Sequence, residues 1–293
     1  AHAADKPFFL WWNTTRMHIW THLKPESQGV TGIGLYPDGM VEHDAMVGQI
    51  LDKLDELGIA DNTIVMYSTD NGAEIMAWPD GGMTPFAGEK NTQWEGGYRV
   101  PMVMRWPGVI EPGTVINDLG AHEDMLPTLM AAVGEPDIKE QLLNGKVRAI
   151  GRRYKVHLDG YNLLPFLSGE EERSPRHDFL YWTDDGDIAA LRYNDWKLVF
   201  LEQRGHGFDV WQEPFVALRF PKLFNLRTDP FERADHEGMG YGRWRAERMF
   251  VLAPAQAYVA KWLSSFKDFP PRQKPGSFSL QNAMDELTSG SPQ

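Results

Sequence analysis

Apolar positions fall in short runs separated by glycine- and proline-rich stretches. Residues 7–14, PFFLWWNT, are apolar and aromatic and close on Asn13-Thr14, which predicts a buried strand. Residues 15–36 read as irregular, punctuated by Pro25, Gly29, Gly32 and Gly34. From about Asp38 to Leu57, Met40, Asp44, Val47, Leu51 and Leu54 step by four, three, four and three, and Ile50 and Leu57 widen the stripe. Only Asp44 breaks this apolar face, and Gly58 stands where a helix C-cap belongs, so the spacing predicts a helix. Residues 63–69, TIVMYST, are β-rich without alternation, as in a strand covered on both faces. PMVMRWP, 101–107, predicts another strand, and a helix from about His122 to Val133 closes at Gly134. Strand, helix, strand, loop, strand, helix is an α/β pattern with a parallel or mixed sheet.

The composition shifts between Pro165 and Pro175. Beyond it come short alternating runs, DFLYWT (178–183), IAALRY (188–193) and WKLVFLE (196–202), with Asn194-Asp195 as the turn between the last two. These predict a small antiparallel sheet. A helical pattern over about 243–266, interrupted by Pro254, is expected to pack on it. The tail 270–293, with PPRQKPGS, reads as extended and then polar. The organisation is therefore an α/β part over 1–165 and an antiparallel-sheet subdomain over 166–293.

With 293 residues, 42% of them hydrophobic, the chain can bury a large core. Lys and Arg total 29 against 41 Asp and Glu, and the net charge of −12 argues against nucleic acid as the main partner. A local positive cleft for a small anion is compatible with that balance. The chain has no cysteine, which excludes disulfides, thiolate metal sites and a cysteine-derived nucleophile within it. No apolar run approaches the roughly 20 residues that span a bilayer. The opening AHAADKPFFLWWNTT lacks a basic segment followed by an apolar core, so no signal peptide is expected in it. The chain opens almost directly into a strand-like run, which points to sequence upstream.

Two stretches carry chemistry. In STDNGAE (68–74), Asp70, Asn71 and Gly72 follow directly on an apolar strand. Ligands bind beyond the carboxyl ends of strands in open α/β sheets, and carboxylate and amide oxygens suit Ca²⁺ or Mg²⁺. Taken alone, Asp-Asn-Gly is equally good turn chemistry. In GEKNTQWEGGYRVPMVMRWPG (88–108), Lys90 lies in a loop whose Gly96-Gly97 permits tight backbone paths. Glu95 and Arg99 are placed to pair across that turn as a structural ion pair. Lys90 alone reads equally as a solvated surface charge.

The strand followed by Asp-Asn-Gly, then K-x-x-x-x-E-G-G-x-R-x-P, then a strand with Trp-Pro-Gly, resembles the type I sulfatases, the arylsulfatases of the alkaline-phosphatase-like superfamily. Further segments carry the likeness in order: VEHDAMVGQILDKLDELGIADNTIVMYSTDNG, HEDMLPTLMAAVGE, LDGYNLLPFLSGE, ALRYNDWKLVF and KLFNLRTDPFERADH. It runs from Pro7 to about Phe269. The resemblance implies part of an alkaline-phosphatase-like sandwich with a central mixed, mostly parallel sheet, plus the small C-terminal antiparallel sheet and its helix. It implies that Asp70 and Asn71 are the two late ligands of a divalent metal, Ca²⁺ with Mg²⁺ as the alternative. Lys90 matches the lysine that contacts the sulfate group. His18, in NTTRMHIWTH, matches the histidine that neutralises or protonates the departing oxygen, with His22 as its rival. His18 precedes Ile19 where the family often has proline, and Asn91 stands where glycine is common after the lysine.

The family's nucleophile is a formylglycine made from Cys or Ser in a Cys/Ser-x-Pro/Ala-x-Arg motif, and no such motif occurs here. Ser174-Pro175-Arg176 has the wrong place and spacing. The resemblance therefore implies the C-terminal portion of a sulfatase, with an N-terminal catalytic half, carrying the formylglycine and two more acidic ligands, on the same or another chain. As this chain alone it is expected to be incomplete and inactive. The implied substrate is a small-molecule or carbohydrate sulfate ester, with hydrolysis resting on electrostatic stabilisation by the metal, Lys90 and His18. Periplasmic or secreted placement is the family expectation. Two other readings remain: a phosphonate monoester or phosphodiester hydrolase on the same frame, or a non-catalytic sulfatase-like binding module. Trp78 and Trp94 are candidates to line a leaving-group pocket, whereas Trp11 and Trp12 read as core or loop-packing residues.

Overall fold

Helix α1 (Leu35–Glu56) forms where the periodicity places it, and Gly58 ends it at φ 64°. Gly58 N–H donates to Asp55 O at 2.9 Å and Ile59 N–H to Leu54 O at 3.1 Å, satisfying carbonyls the last turn leaves open. In the computed structural model, which describes residues 6–273, 275–277 and 284, α1 belongs to the first of two compact units. That unit comprises 1–63 with 73–84, and the second comprises 64–72 with 85–293.

In the first unit the buried side of α1 carries Asp38, Glu42 and His43 as well as Leu54, a more polar face than its apolar stripe predicts. The reason is local. The Asp38 carboxylate accepts from Gly29 N at 2.6 Å and from Thr31 N and Oγ1 at 2.8 and 2.6 Å, which closes the irregular loop onto the helix. Arg16 reaches Glu42 at 2.8 Å. Residues 7–14 do not form the expected strand. Phe9 is 76%, Trp11 78% and Trp12 42% exposed, so the core half of the expectation that Trp11 and Trp12 are core or loop-packing residues is also corrected. A strand exists only through a ladder, and no described segment pairs with 7–14.

In the second unit β1 (Val65–Ser68) pairs antiparallel with β2 (Met102–Arg105), with Val65 opposite Arg105 and Ser68 opposite Met102. Helix α2 (Glu95–Tyr98) lies between them in sequence. Met66 and Tyr67 are each 37% exposed, so β1 is not covered on both faces as its sequence suggests. The α/β class holds, but every pairing among the described residues is antiparallel. A parallel neighbour for β1 needs a crossover such as α1 supplies, and no described residue before α1 forms a ladder.

Helices α3 (Met125–Ala132) and α4 (Ile138–Leu143) follow, then a hairpin of β3 (Val147–Ala149) and β4 (Arg152–Tyr154), and the short α5 (Leu164–Leu167). No sequence signal marks this hairpin, because RAIGRRY lacks an apolar run. The four-stranded sheet β5 (Asp178–Trp182), β6 (Ile188–Tyr193), β7 (Trp196–Glu202), β8 (Val216–Asn225) is an antiparallel meander, with Asn194 at φ 50° in the β6–β7 turn. Alternation assigns its two faces. Tyr181, Ala190, Val199 and Phe224 pack with Trp94 on one. Leu180, Leu191, Leu198 and Leu223 pack on the other, against residues of α7 (Tyr241–Ala246) and α8 (Leu252–Leu263), which follow the short α6 (Ala234–Glu237). Pro254 does not break this helix but sits in the first turn of α8, where a missing N–H is tolerated. The tail beyond 277 lies almost entirely outside the described residues. Among the described residues no helix is long and apolar enough to cross a membrane.

Candidate functional site

The segment 87–98 lies on the first face of that sheet, and Trp94 is its anchor. Its ring meets Phe224 edge-on at 5.8 Å, and it is a core residue rather than a pocket wall. Beyond Trp94 the chain enters α2 through Glu95, Gly96 and Gly97, all buried.

Gly96-Gly97 has a turn against each side. Gly72 N–H donates to Gly97 O at 2.8 Å, and a Cβ added at Gly72 would stand 1.7 Å from Gly96 O. This brings the Asp70-Asn71-Gly72 turn onto the dipeptide. On the other side Gly96 N–H donates to Ala87 O at 2.7 Å, and a Cβ at Gly97 would lie 2.6 Å from Glu89 O. The loop carrying Lys90 thus packs on the same two residues. Side chains larger than hydrogen would push either turn away.

Each turn is fixed internally. Thr92 Oγ1 donates to Glu89 O at 2.6 Å and accepts from Glu89 N at 3.1 Å, closing the loop around Lys90. Asn91 has φ 65°, a left-handed conformation that glycine and asparagine adopt most readily, which accounts for Asn91 at a glycine-favouring position. Its Nδ2 donates to Val210 O at 2.6 Å. Asn71 Nδ2 donates to Gly72 O at 2.9 Å, so the amide nitrogen is used within the turn and Oδ1 is the acceptor atom of this side chain. Asp70 is exposed, at the carboxyl end of β1. Adjacent carboxylate and amide oxygens on one turn are a donor set for a hard cation, two of the six to eight oxygens Ca²⁺ takes.

Sequence reasoning missed three neighbours. The loop 203–213 between β7 and β8 lies over the Lys90 loop. Gly207 N–H donates to Glu89 Oε1 at 2.9 Å, Gln203 N–H donates to Gln93 Oε1 at 2.9 Å, and the Trp211 ring lies 5.5 Å from Lys90 Nζ. No motif marks this loop; only its aromatic content, with Phe208 and Trp211 both exposed, was a signal. Second, Ser68 Oγ, two residues before Asp70, donates to Pro101 O at 2.9 Å and lies 2.9 Å from His122 Nε2. Third, Glu95 does not pair with Arg99. Arg99 lies over the Phe86 ring at 4.6 Å, while Glu95 meets Lys197 at 3.1 Å, Arg192 at 3.5 Å and the Tyr181 hydroxyl at 2.6 Å. Burial pushes the Glu95 carboxyl up, but Lys197, Arg192 and Tyr181 outweigh it and hold it below its ordinary value.

His18 and its rival His22 lie in the first unit, both exposed, in the irregular stretch before α1. Thr21 Oγ1 donates to His18 O at 2.5 Å. Asp70, Asn71 and Lys90 lie in the second unit. Among the described residues one trio of Asp, Glu and His has metal-binding spacing, Glu202, Asp235 and His236. Its carboxylates already hold the Lys222 ammonium, which meets Asp235 at 2.6 Å.

Comparison with known proteins follows the same segments. The sulfatase family model matches residues 1–135. Human arylsulfatase A is 32% identical over 244 residues, covering 79% of this chain and 45% of its own length. Human N-acetylgalactosamine-6-sulfatase is 36% identical over 249 residues, covering 79% and 44%. The solved structure of the PsFucS1 sulfatase from Pseudoalteromonas sp. superposes with a TM-score of 0.69 at 25% identity, covering 87% of this chain and 48% of that one. The chain therefore spans somewhat less than half the length of these relatives. The matches cover α1, both turns on Gly96-Gly97 and the C-terminal sheet, and the chain belongs to the sulfatase family, within the alkaline-phosphatase-like superfamily.

Proposed function

We propose that this chain supplies the late metal ligands and the sulfate-binding lysine of an enzyme that hydrolyses sulfate monoesters. The observation that carries this reading is the shared seat of two turns on Gly96-Gly97, one bearing Asp70 and Asn71 and the other Lys90. A bound divalent cation supplies charge that stabilises anionic oxygens at the reacting group. Asp70 Oδ and Asn71 Oδ1 would hold it, and its further ligands would come from residues outside this sequence. Lys90 is an ammonium on a flexible stem and suits a tetrahedral anion as a point charge. It offsets the charge that develops on the sulfuryl oxygens. His18 supplies the imidazole that protonates the departing alcohol or phenol oxygen.

The nucleophile lies outside this sequence, because the chain has neither cysteine nor a Ser-x-Pro-x-Arg or Ser-x-Ala-x-Arg motif. A formylglycine on an N-terminal part of the same protein fits the family resemblance. The relatives are named for aryl, steryl and N-acetylgalactosamine 6-sulfates, so the common chemistry is the sulfate monoester and not one leaving group.

The test is kinetic, on the full-length protein that carries this sequence. Turnover of 4-nitrophenyl sulfate is expected to exceed that of 4-nitrophenyl phosphonates and phosphate diesters. Lys90→Ala is expected to lower kcat/KM for the sulfate by roughly 10²–10³, the usual loss when one oxyanion-stabilising donor is removed. A Lys90→Ala protein with parental rates, or a preference for the diester, would overturn the reading.

A further inference from the structure

The second unit buries a lysine completely. Lys197, on β7, is 0% exposed and sits between two buried carboxylates, 3.1 Å from Glu95 Oε1 and 2.8 Å from Glu232 Oε1. Its ammonium also lies 4.1 Å from the centre of the Tyr181 ring. Enclosed in this way, Lys197 cannot touch a substrate. What the trio does touch is the start of α2. Glu232 Oε2 accepts the Glu95 backbone N–H at 2.7 Å, an amide at the helix start where Trp94 offers no side-chain cap.

Helix α2 is only four residues long and has little hydrogen bonding of its own to hold it in place. Its position is therefore set from outside. Glu232 follows Asp229-Pro230-Phe231 in a turn closed by Asp229 Oδ1 and Oδ2, which accept from Arg233 N at 3.0 Å and Ala234 N at 2.9 Å. Glu232 itself is held at φ 52°, in the left-handed region. Phe231 of the same turn packs on Phe86, one residue from the carbonyl that Gly96 N–H bonds.

These contacts form one chain from the C-terminal sheet to the candidate site. Resting on the sulfatase reading above, we infer that Glu232 and Lys197 are positioning residues for the Asp70-Asn71 turn and for Lys90. They fix the amino end of α2, and Gly96-Gly97 of α2 is the seat of both turns. The length of the Glu232 side chain matters because the seat depends on its hydrogen bond to Glu95 N. A purely electrostatic or stabilising role would depend on its charge instead.

The two roles are separable in the full-length protein through calcium affinity, by titration calorimetry, and through kcat and KM for 4-nitrophenyl sulfate. Glu232→Asp keeps the charge and shortens the reach. Glu232→Gln keeps the length and an oxygen acceptor. The inference expects Glu232→Asp to weaken calcium binding and lower kcat by tenfold or more, with Glu232→Gln within about threefold of the parent on both. Arg176→Met, which breaks the ion pairs of a buried guanidinium to exposed Glu123 and buried Asp124 elsewhere in this unit, is the stability control and is expected to stay within twofold on both. The reverse ranking, or equal losses in Arg176→Met at a matched drop in Tm, overturns the inference. Asp70→Ala and Lys90→Ala are run alongside. If neither changes calcium affinity or turnover, the sulfatase reading fails and this inference with it; if both are impaired and Glu232→Asp is not, only the positioning role falls.

Discussion

Gly72 and Gly97 are joined by a 2.8 Å hydrogen bond between residues 25 positions apart, and the contact leaves no room for a side chain. The Cβ of an alanine at 72 would stand 1.7 Å from the Gly96 carbonyl oxygen, which is backbone and cannot swing aside. Gly72→Ala is therefore expected to cost at least the ~3 kcal/mol upper end of ordinary overpacking, a large share of a domain's stability. Gly120→Ala is the control, since its Cβ would meet only Leu163 Cδ1 at 3.6 Å, and it is expected to lie within about 0.5 kcal/mol of the parent. Urea unfolding midpoints of the two variants check the contrast.

The Lys90 ammonium lies 5.5 Å from the Trp211 ring, and Trp211 is 45% exposed. A cation–π contact at such an exposed site contributes about 0.5–1 kcal/mol. Removing the ring with Trp211→Leu is expected to lower kcat/KM for a sulfate ester by roughly two- to fivefold, because Lys90 then has more conformations to lose on binding. In the Lys90→Ala background the same change is expected to have no effect. A double-mutant cycle on kcat/KM reads that coupling directly.

Trp94 reads in sequence as a candidate pocket residue and proves to be the pin of the site segment. Its indole fills the sheet face between Val199 and Phe224, and it directly precedes Glu95. Trp94→Ala is expected to destabilise the protein by about 3–5 kcal/mol, the usual range for a large aromatic removed from a core. Trp78→Ala, which removes an exposed ring, is expected to be near neutral. Thermal unfolding of both checks the assignment.

What could be read from the sequence follows from where the information lies. Helix α1, β2, α3 and the strands β5–β7 depend on local periodicity and end on glycine or turn residues, so their positions were legible to within a few residues. Residues 7–14 and the coverage of β1 depend on neighbours that a local pattern cannot specify. Strand β8 contains Pro221 and lysine, which hid it between β7 and the Asp-Pro-x-Glu turn. At the candidate site Asp70, Asn71 and Lys90 were legible through motifs. The sequence pairs Glu95 with Arg99, four residues away, because a local pattern does not reach its partner Lys197, 102 residues on. Lys197 itself lies in an alternating strand where a lysine looks like a solvated position.

Glu202, at the end of β7, shows how these ion pairs answer to pH. Burial pushes its carboxyl up, but Lys222, in contact with Oε1, and Arg204, at 3.0 Å from Oε2, outweigh burial and hold it below its ordinary value of 4.5. A carboxyl lowered in the folded state stabilises the protein at all pH values above its unfolded pKa. That contribution is lost as pH falls through the folded value. Lys222, raised by the same carboxylate and by Asp235 against the effect of burial, contributes stability below its ordinary value of 10.5 and loses it as pH rises through its own folded value. Glu202→Gln is therefore expected to have a lower Tm than the parent at pH 7. The gap is expected to narrow as pH is lowered below 4.5, where the parent's own carboxyl takes up its proton. Calorimetric Tm values of both proteins from pH 7 to pH 3 test this. A gap that stays constant over that range would show that the Glu202 contacts hold shape rather than charge.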